Sequence, residues 1–234
     1  MSTVKDEAIK LRKNIDTVYE AGQKAEYDRF WDEYQQNGTR TSYALAFAGT
    51  GWNTETFKPK YPLTVSYGFE MFRQCGELDA SIIDIDFTNN TSFSNFARQG
   101  MVIRFGVMNF TGCNSAQSYT FYDCAFLETI EKMIFKNDGT TNFTSSSNFQ
   151  GCYQLKNITV EGVIGLSIDF TWSPLTVESM KSVINALKNY SETDKEHSYS
   201  VKFKDDCWAA LEADSTAPNG DTWKNYVFSL GWNT

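Results

Sequence analysis

The chain has 234 residues, a formal net charge of -8 and a pI near 4.8, which fits one domain with small flanking pieces and gives a nucleic-acid partner no basic patch to hold. Hydrophobic residues make up 41% and aromatic residues 15%, so a packed core is expected in place of disorder, with many rings inside it. No stretch of about 18 apolar residues occurs, and residues 1–7 lack the apolar core of a signal peptide, so neither a membrane span nor ordinary secretion is expected.

Residues from about 4 to 36 are rich in Ala, Glu, Lys, Arg and Gln and read as helix. Thr3 and Asp6 form a weak capping pair, and Asn37-Gly38 suits a left-handed C-terminal cap. Val4, Ala8, Leu11, Ile15, Val18, Gly22 and Ala25 recur in steps of four and three. That is a heptad seam of about three heptads. A single amphipathic helix packed on its own domain explains it as well, so residues 4–25 are a candidate for homo-oligomer contact and no more. Tyr27, Phe30, Trp31 and Tyr34 form an aromatic stripe of the kind that usually faces a core.

Residues 38–65 read as an irregular connector punctuated by Gly38, Gly49, Gly51, Pro59 and Pro62. Gly49-Thr50-Gly51-Trp52 is not followed by Gly-Lys-Ser/Thr, so it is not a phosphate loop.

The middle of the chain repeats. Phe72-x-x-Cys75-x-x-Leu78 returns as Phe121-x-x-Cys124-x-x-Leu127-x-x-Ile130 and as Phe149-x-x-Cys152-x-x-Leu155-x-x-Ile158. Phe96 stands as a degraded copy between the first two, which gives Phe steps of 24, 25 and 28 residues. Such a period is the range of leucine-rich repeats. Each coil cannot bury its own apolar side chains, so coils stack and the Phe, Cys, Leu and Ile positions form internal ladders. Phe110-x-x-Cys113 is out of register and reads as an insertion. In Ile82-Ile83-Asp84-Ile85-Asp86-Phe87, alternation sends Ile83, Ile85 and Phe87 to one face and Asp84 and Asp86 to the other.

Residues 171–234 change character. Apolar positions 180, 183, 184 and 187 predict a helix with one buried face after Thr176. A strand around Tyr199 to Phe203, a helix from near Asp206 and the closing Leu230-Gly231-Trp232 complete what reads as a cap over the last open coil.

The three spaced Phe-x-x-Cys-x-x-Leu copies resemble the BspA-like leucine-rich repeats of bacterial surface and virus-associated proteins, over residues 66–170. Ser173-Pro174-Leu175-Thr176 through Leu187 and the terminal Gly231-Trp232 resemble the usual ending of such chains. Val18-Tyr19-Glu20-Ala21-Gly22, Phe30-Trp31-Asp32 and Phe47-Ala48-Gly49-Thr50-Gly51-Trp52 resemble proteins encoded in phages and prophages of Gram-positive gut bacteria. The resemblance implies an α/β repeat fold, a short leucine-rich-repeat solenoid with an N-terminal helix and an α/β C-terminal cap. The organisation that follows is 1–37 N-terminal helix, 38–65 connector, 66–170 repeats and 171–234 cap. It also implies a non-enzymatic structural or binding role in a phage virion, made in the host cytoplasm, with virion proteins or a host-surface ligand as partners and no cofactor. A bacterial cell-surface adhesin and a cell-wall-directed enzyme are the alternatives.

The chemistry visible in the residues is sparse. Cys75, Cys113, Cys124, Cys152 and Cys207 are odd in number and contain no Cys-x-x-Cys pair, so buried thiols are expected in place of a zinc or redox site. His197 stands in a polar stretch with no partner nearby, so a triad that used it lacks support. Asp84 and Asp86 are the best acidic pair, half of a glycosidase or calcium site at most, and a solvated strand face explains them. Asp205-Asp206 reads as a helix start. Several Asn-x-Ser/Thr sequons, including those at Asn90, Asn109, Asn142, Asn157 and Asn189, reflect turn composition. No catalytic, cofactor-binding or metal-binding residue is assigned.

Overall fold

A computed structural model describes residues 24–49, 52–55, 57–141, 143, 147–191 and 199–234. The heptad seam from Val4 to Gly22, the Thr3–Asp6 pair, Asn142 and His197 lie outside the described residues.

The chain winds into a parallel β-solenoid of about four turns with few helices. The first described helix, α1 (Lys24–Tyr34), closes one side. Its Trp31 is fully buried against Trp52 and Phe57, with ring centroids 6.0 and 5.9 Å away. Gln35 fixes the join, because its amide donates to the Tyr61 carbonyl at 2.9 Å and accepts the Tyr61 N–H at 3.0 Å.

Among the described residues every strand pairing is parallel. β1 (Leu63–Thr64) pairs with β3 (Ile85–Asp86). β2 (Leu78–Asp79), β4 (Val102–Asn109), β5 (Thr129–Ile134) and β6 (Asn157–Glu161) form a four-stranded sheet in that order. Beyond it, β7 (Ile168–Phe170) pairs with β8 (Val201–Phe203), and single parallel bridges join Ile164 to Leu187 and Ser200 to Asn233. The pairing thus continues well past residue 171. Three helices lie among these last coils: α2 (Val177–Asn185), α3 (Asp205–Asp214) and α4 (Trp223–Ser229). Thr176 caps α2 through its side chain, and Met180, Val183, Ile184 and Leu187 are buried as their spacing predicts. Asp205 and Asp206 occupy the first turn of α3.

The side opposite the sheet is a ribbon of consecutive tight turns. The N–H of Phe47 donates to the carbonyl of Met71, Phe72 to Phe96, Ala97 to Thr120, and Phe121 to Asn148, all between 2.8 and 3.0 Å. The carbonyl that accepts and the N–H that donates belong to the same peptide unit, so one column of peptides runs through the stack. Phe47, Phe72, Ala97, Phe121 and Phe149 are therefore equivalent. The repeat is one coil longer than the sequence pattern indicates, and Ala97 takes the position that spacing gives to Phe96. Phe96 sits one column over, where its ring meets Phe72, Phe93 and Phe105 at 5.4, 5.2 and 5.5 Å and fills the space Ala97 leaves.

In the turn ribbon left-handed residues stand four apart, as at Glu70 and Gln74, Asn95 and Gln99, and Tyr119 and Asp123. Leu45, Glu70, Gln74, Asn95, Gln99, Tyr119 and Asp123 all have φ between 53 and 58°. Each such residue costs roughly 1–2 kcal/mol. Six of the seven N–H groups are spent on the next coil, for example Glu70 to Ser94 at 3.2 Å and Asp123 to Gln150 at 2.8 Å, which offsets that cost.

The cysteines follow the same register. Cys124 Sγ lies 2.8 Å from the Ala97 carbonyl and Cys152 Sγ lies 3.1 Å from that of Phe121. A small thiol fits the crowded turn and donates to the coil before it. All five cysteines are free and buried. Burial pushes the Cys75 and Cys113 thiols up to about 12 and raises Cys124 and Cys152 as well.

Phe110 is no insertion. It belongs to a second ring column at the strand ends with Phe87 and Phe135, and it stacks on Phe135 at 5.4 Å. Asp86, Asn109 and Asp169 each accept the N–H of the Thr two residues on, so an Asx turn ends these strands.

Candidate functional site

The sheet forks in the coil that carries Asp84. Leu78 and Asp79 pair with β4. The chain then leaves the ladder through a 3₁₀ turn, Ala80–Ile82, held by the Asp79 carboxylate, which accepts the Ser81 N–H at 3.0 Å. It returns at Ile85, but β3 pairs with β1 alone, and no hydrogen bond joins it to β4.

Two open cavities flank this excursion. One, about 390 Å³, lies in the fork and reaches from Ser81 and Asp84 across to Gly106, Val107 and Glu131. The other, about 400 Å³, runs beside Thr54, Lys58, Lys60 and Tyr61. Clefts of this size are in the range that takes drug-sized ligands. The ridge between them exposes Ile82 to 68%, and Val107 on the far wall is 47% exposed.

Of the predicted acidic pair, Asp84 lines both cavities. Asp86 lines neither. It accepts the Thr88 N–H at 2.8 Å, and hydrogen bonds from Thr88 hold its carboxyl below the usual range. The two side chains are exposed and Ile83, Ile85 and Phe87 pack inward, as alternation predicts, although only Ile85–Asp86 is regular strand. The carboxylate that joins Asp84 in the fork is Glu131 of β5. A β-carbon on Gly106 would stand 3.8 Å from Glu131 Oε2 and 3.8 Å from Ser81 Cα, so the missing side chain at 106 keeps the slot open. No motif marks Glu131 or Gly106; only knowledge of the coil register could have paired them with Asp84.

A second exposed feature is aromatic. Tyr153 and Trp172, 57% and 44% exposed, meet edge to face at 5.7 Å. On the sheet face, Arg104 lies 3.9 Å from Glu128 and Lys132 lies 3.0 Å from Glu161. Such exposed pairs contribute little to stability.

Among the described residues no three His, Cys, Asp or Glu side chains come together in a way that would hold a metal ion. No helix among them is long and apolar enough to cross a membrane. Of the sequon residues, Asn90 is fully buried, and its Oδ1 accepts the N–H of Gly68 at 3.0 Å.

The architecture defines the chain as a parallel β-solenoid. No known protein family, curated protein or solved structure matches it.

Proposed function

We propose that this chain is a non-enzymatic binding or structural protein, a virion component of a phage or prophage-derived particle built on BspA-like leucine-rich repeats. The observation that carries the reading is the peptide column from Phe47 to Asn148. A stack of this kind spends most of its backbone polar groups and its thiols on itself, and what it offers outward is surface. Residues 171–234 cover the last repeat coil in this reading. Residues 4–25 supply the contact between copies, since virion components assemble symmetrically.

The exposed Tyr153–Trp172 pair favours a second reading, a bacterial cell-surface adhesin, because exposed aromatic rings suit contact with a host ligand.

Light scattering on the full chain and on residues 24–234 tests the assembly step. The shorter form keeps Trp31 and its core contacts. The full chain is expected to be a multimer that falls to monomer on truncation; a full-length monomer contradicts assembly through this segment.

A further inference from the structure

We propose that the fork between β3 and β4 is a docking slot for an extended peptide segment of a partner protein that carries a basic side chain. The slot shows two free strand edges. Leu63 and Val65 of the preceding coil donate to the Asp84 and Asp86 carbonyls at 2.8 Å each. Parallel pairing alternates residue by residue, so Ile85 turns its own N–H and carbonyl toward β4. On β4, Phe110 donates to Ile134 at 2.8 Å. The same alternation commits Gly106 and Met108 to β5 and turns Val107 back toward β3. Among the described residues no hydrogen bond joins these two edges. A free edge of this kind binds extended chain by main-chain hydrogen bonds, with side-chain pockets for specificity.

The slot also states the chemistry of its occupant. Among the described residues, the charged ones that line it are Asp84 and Glu131, both acidic. Phe105 and Ile83 give the floor an apolar surface. A segment of alternating apolar and basic residues matches both features. A β-carbon at 106 would already touch Glu131 Oε2 and Ser81 Cα, each at 3.8 Å, so glycine there keeps this wall of the slot clear of a side chain.

The proposal rests on reading the chain as a binding scaffold, but its test is separate from the assembly and particle tests, which stand or fall without it. The probe is the fluorescent peptide acetyl-Val-Lys-Val-Lys-Val-amide, titrated into the full chain and followed by anisotropy at low salt. Binding is expected to weaken at least tenfold in Gly106→Val, which fills the slot. That strand position is not in the left-handed region and a β-carbon there meets its neighbours at ordinary contact distance, so the variant should fold, which circular dichroism checks. An equal loss is expected for Asp84→Asn with Glu131→Gln, for the peptide with Glu in place of Lys, and for a backbone N-methylated peptide. No binding at millimolar peptide overturns the proposal. So does unchanged affinity in Gly106→Val, or equal binding of the N-methylated peptide, which would show attraction by charge alone.

Discussion

Replacing Phe121 with alanine tests the register most sharply. Phe121 is fully buried. Its ring stacks on Phe149 at 5.3 Å with planes 20° apart and tilts against Phe105 at 5.7 Å. A buried Phe→Ala change costs about 3–5 kcal/mol, more where the site cannot collapse. At position 97 the stack tolerates alanine because Phe96 swings in. At 121 the preceding residue is Thr120, too small to do the same, so the void persists and the two lost ring contacts place the cost near 4 kcal/mol. The peptide column is untouched, since the Phe121 N–H still donates to Asn148. For a chain of this size the melting temperature should fall by roughly 8–16 °C, and the urea midpoint should fall with the slope unchanged. A loss below about 1.5 kcal/mol would refute the reasoning, because it would mean that the Phe column is not the packed axis of the solenoid.

Gln117→Leu removes the oxygen that accepts the Phe93 N–H and leaves that buried donor unpaired, which should cost about 1–3 kcal/mol by urea unfolding. Gly151→Ala and Gly220→Ala share φ of +80°, but a β-carbon at 151 would strike the Asp123 backbone at 2.9 Å and at 220 would meet nothing within 4 Å; the second should cost about 1 kcal/mol and the first clearly more, read by thermal melts of the pair. The folded thiols hold their protons more tightly than unfolded ones, since burial raises Cys75 and Cys113 to about 12. Their contribution to stability is present in full below about pH 8.5, the unfolded value, and should be lost as pH climbs toward 12; native protein at pH 8 should also resist a thiol-labelling reagent that reacts fully in urea. A midpoint that stays flat from pH 9 to 11 would contradict this.

Much of the fold is legible in the residues. The Phe and Cys ladders follow from spacing, and the buried face of α2 follows from Met180, Val183 and Ile184. The left-handed turn ribbon does not. Its positions hold Glu70, Gln74, Asn95, Gln99, Tyr119 and Asp123, residues with no shared signature, because hydrogen bonds between coils impose the conformation. The exchange of Phe96 for Ala97 escapes spacing because a ring one column over fills the same volume. On β4 the buried residues are Val102, Phe105 and Met108, every third residue and not every second, as the strand bends along the coil. The fork escapes for the same reason, since Asp84, Gly106 and Glu131 come from three successive coils and only the register brings them together.

The most direct test of the proposal that this solenoid works as a part of an assembled particle is quantitative mass spectrometry of particles purified after lysis of cells that express it. The chain is expected in the particle fraction at a fixed copy number per particle. Its absence from particles, with recovery from the cell envelope, would contradict the account and favour the adhesin.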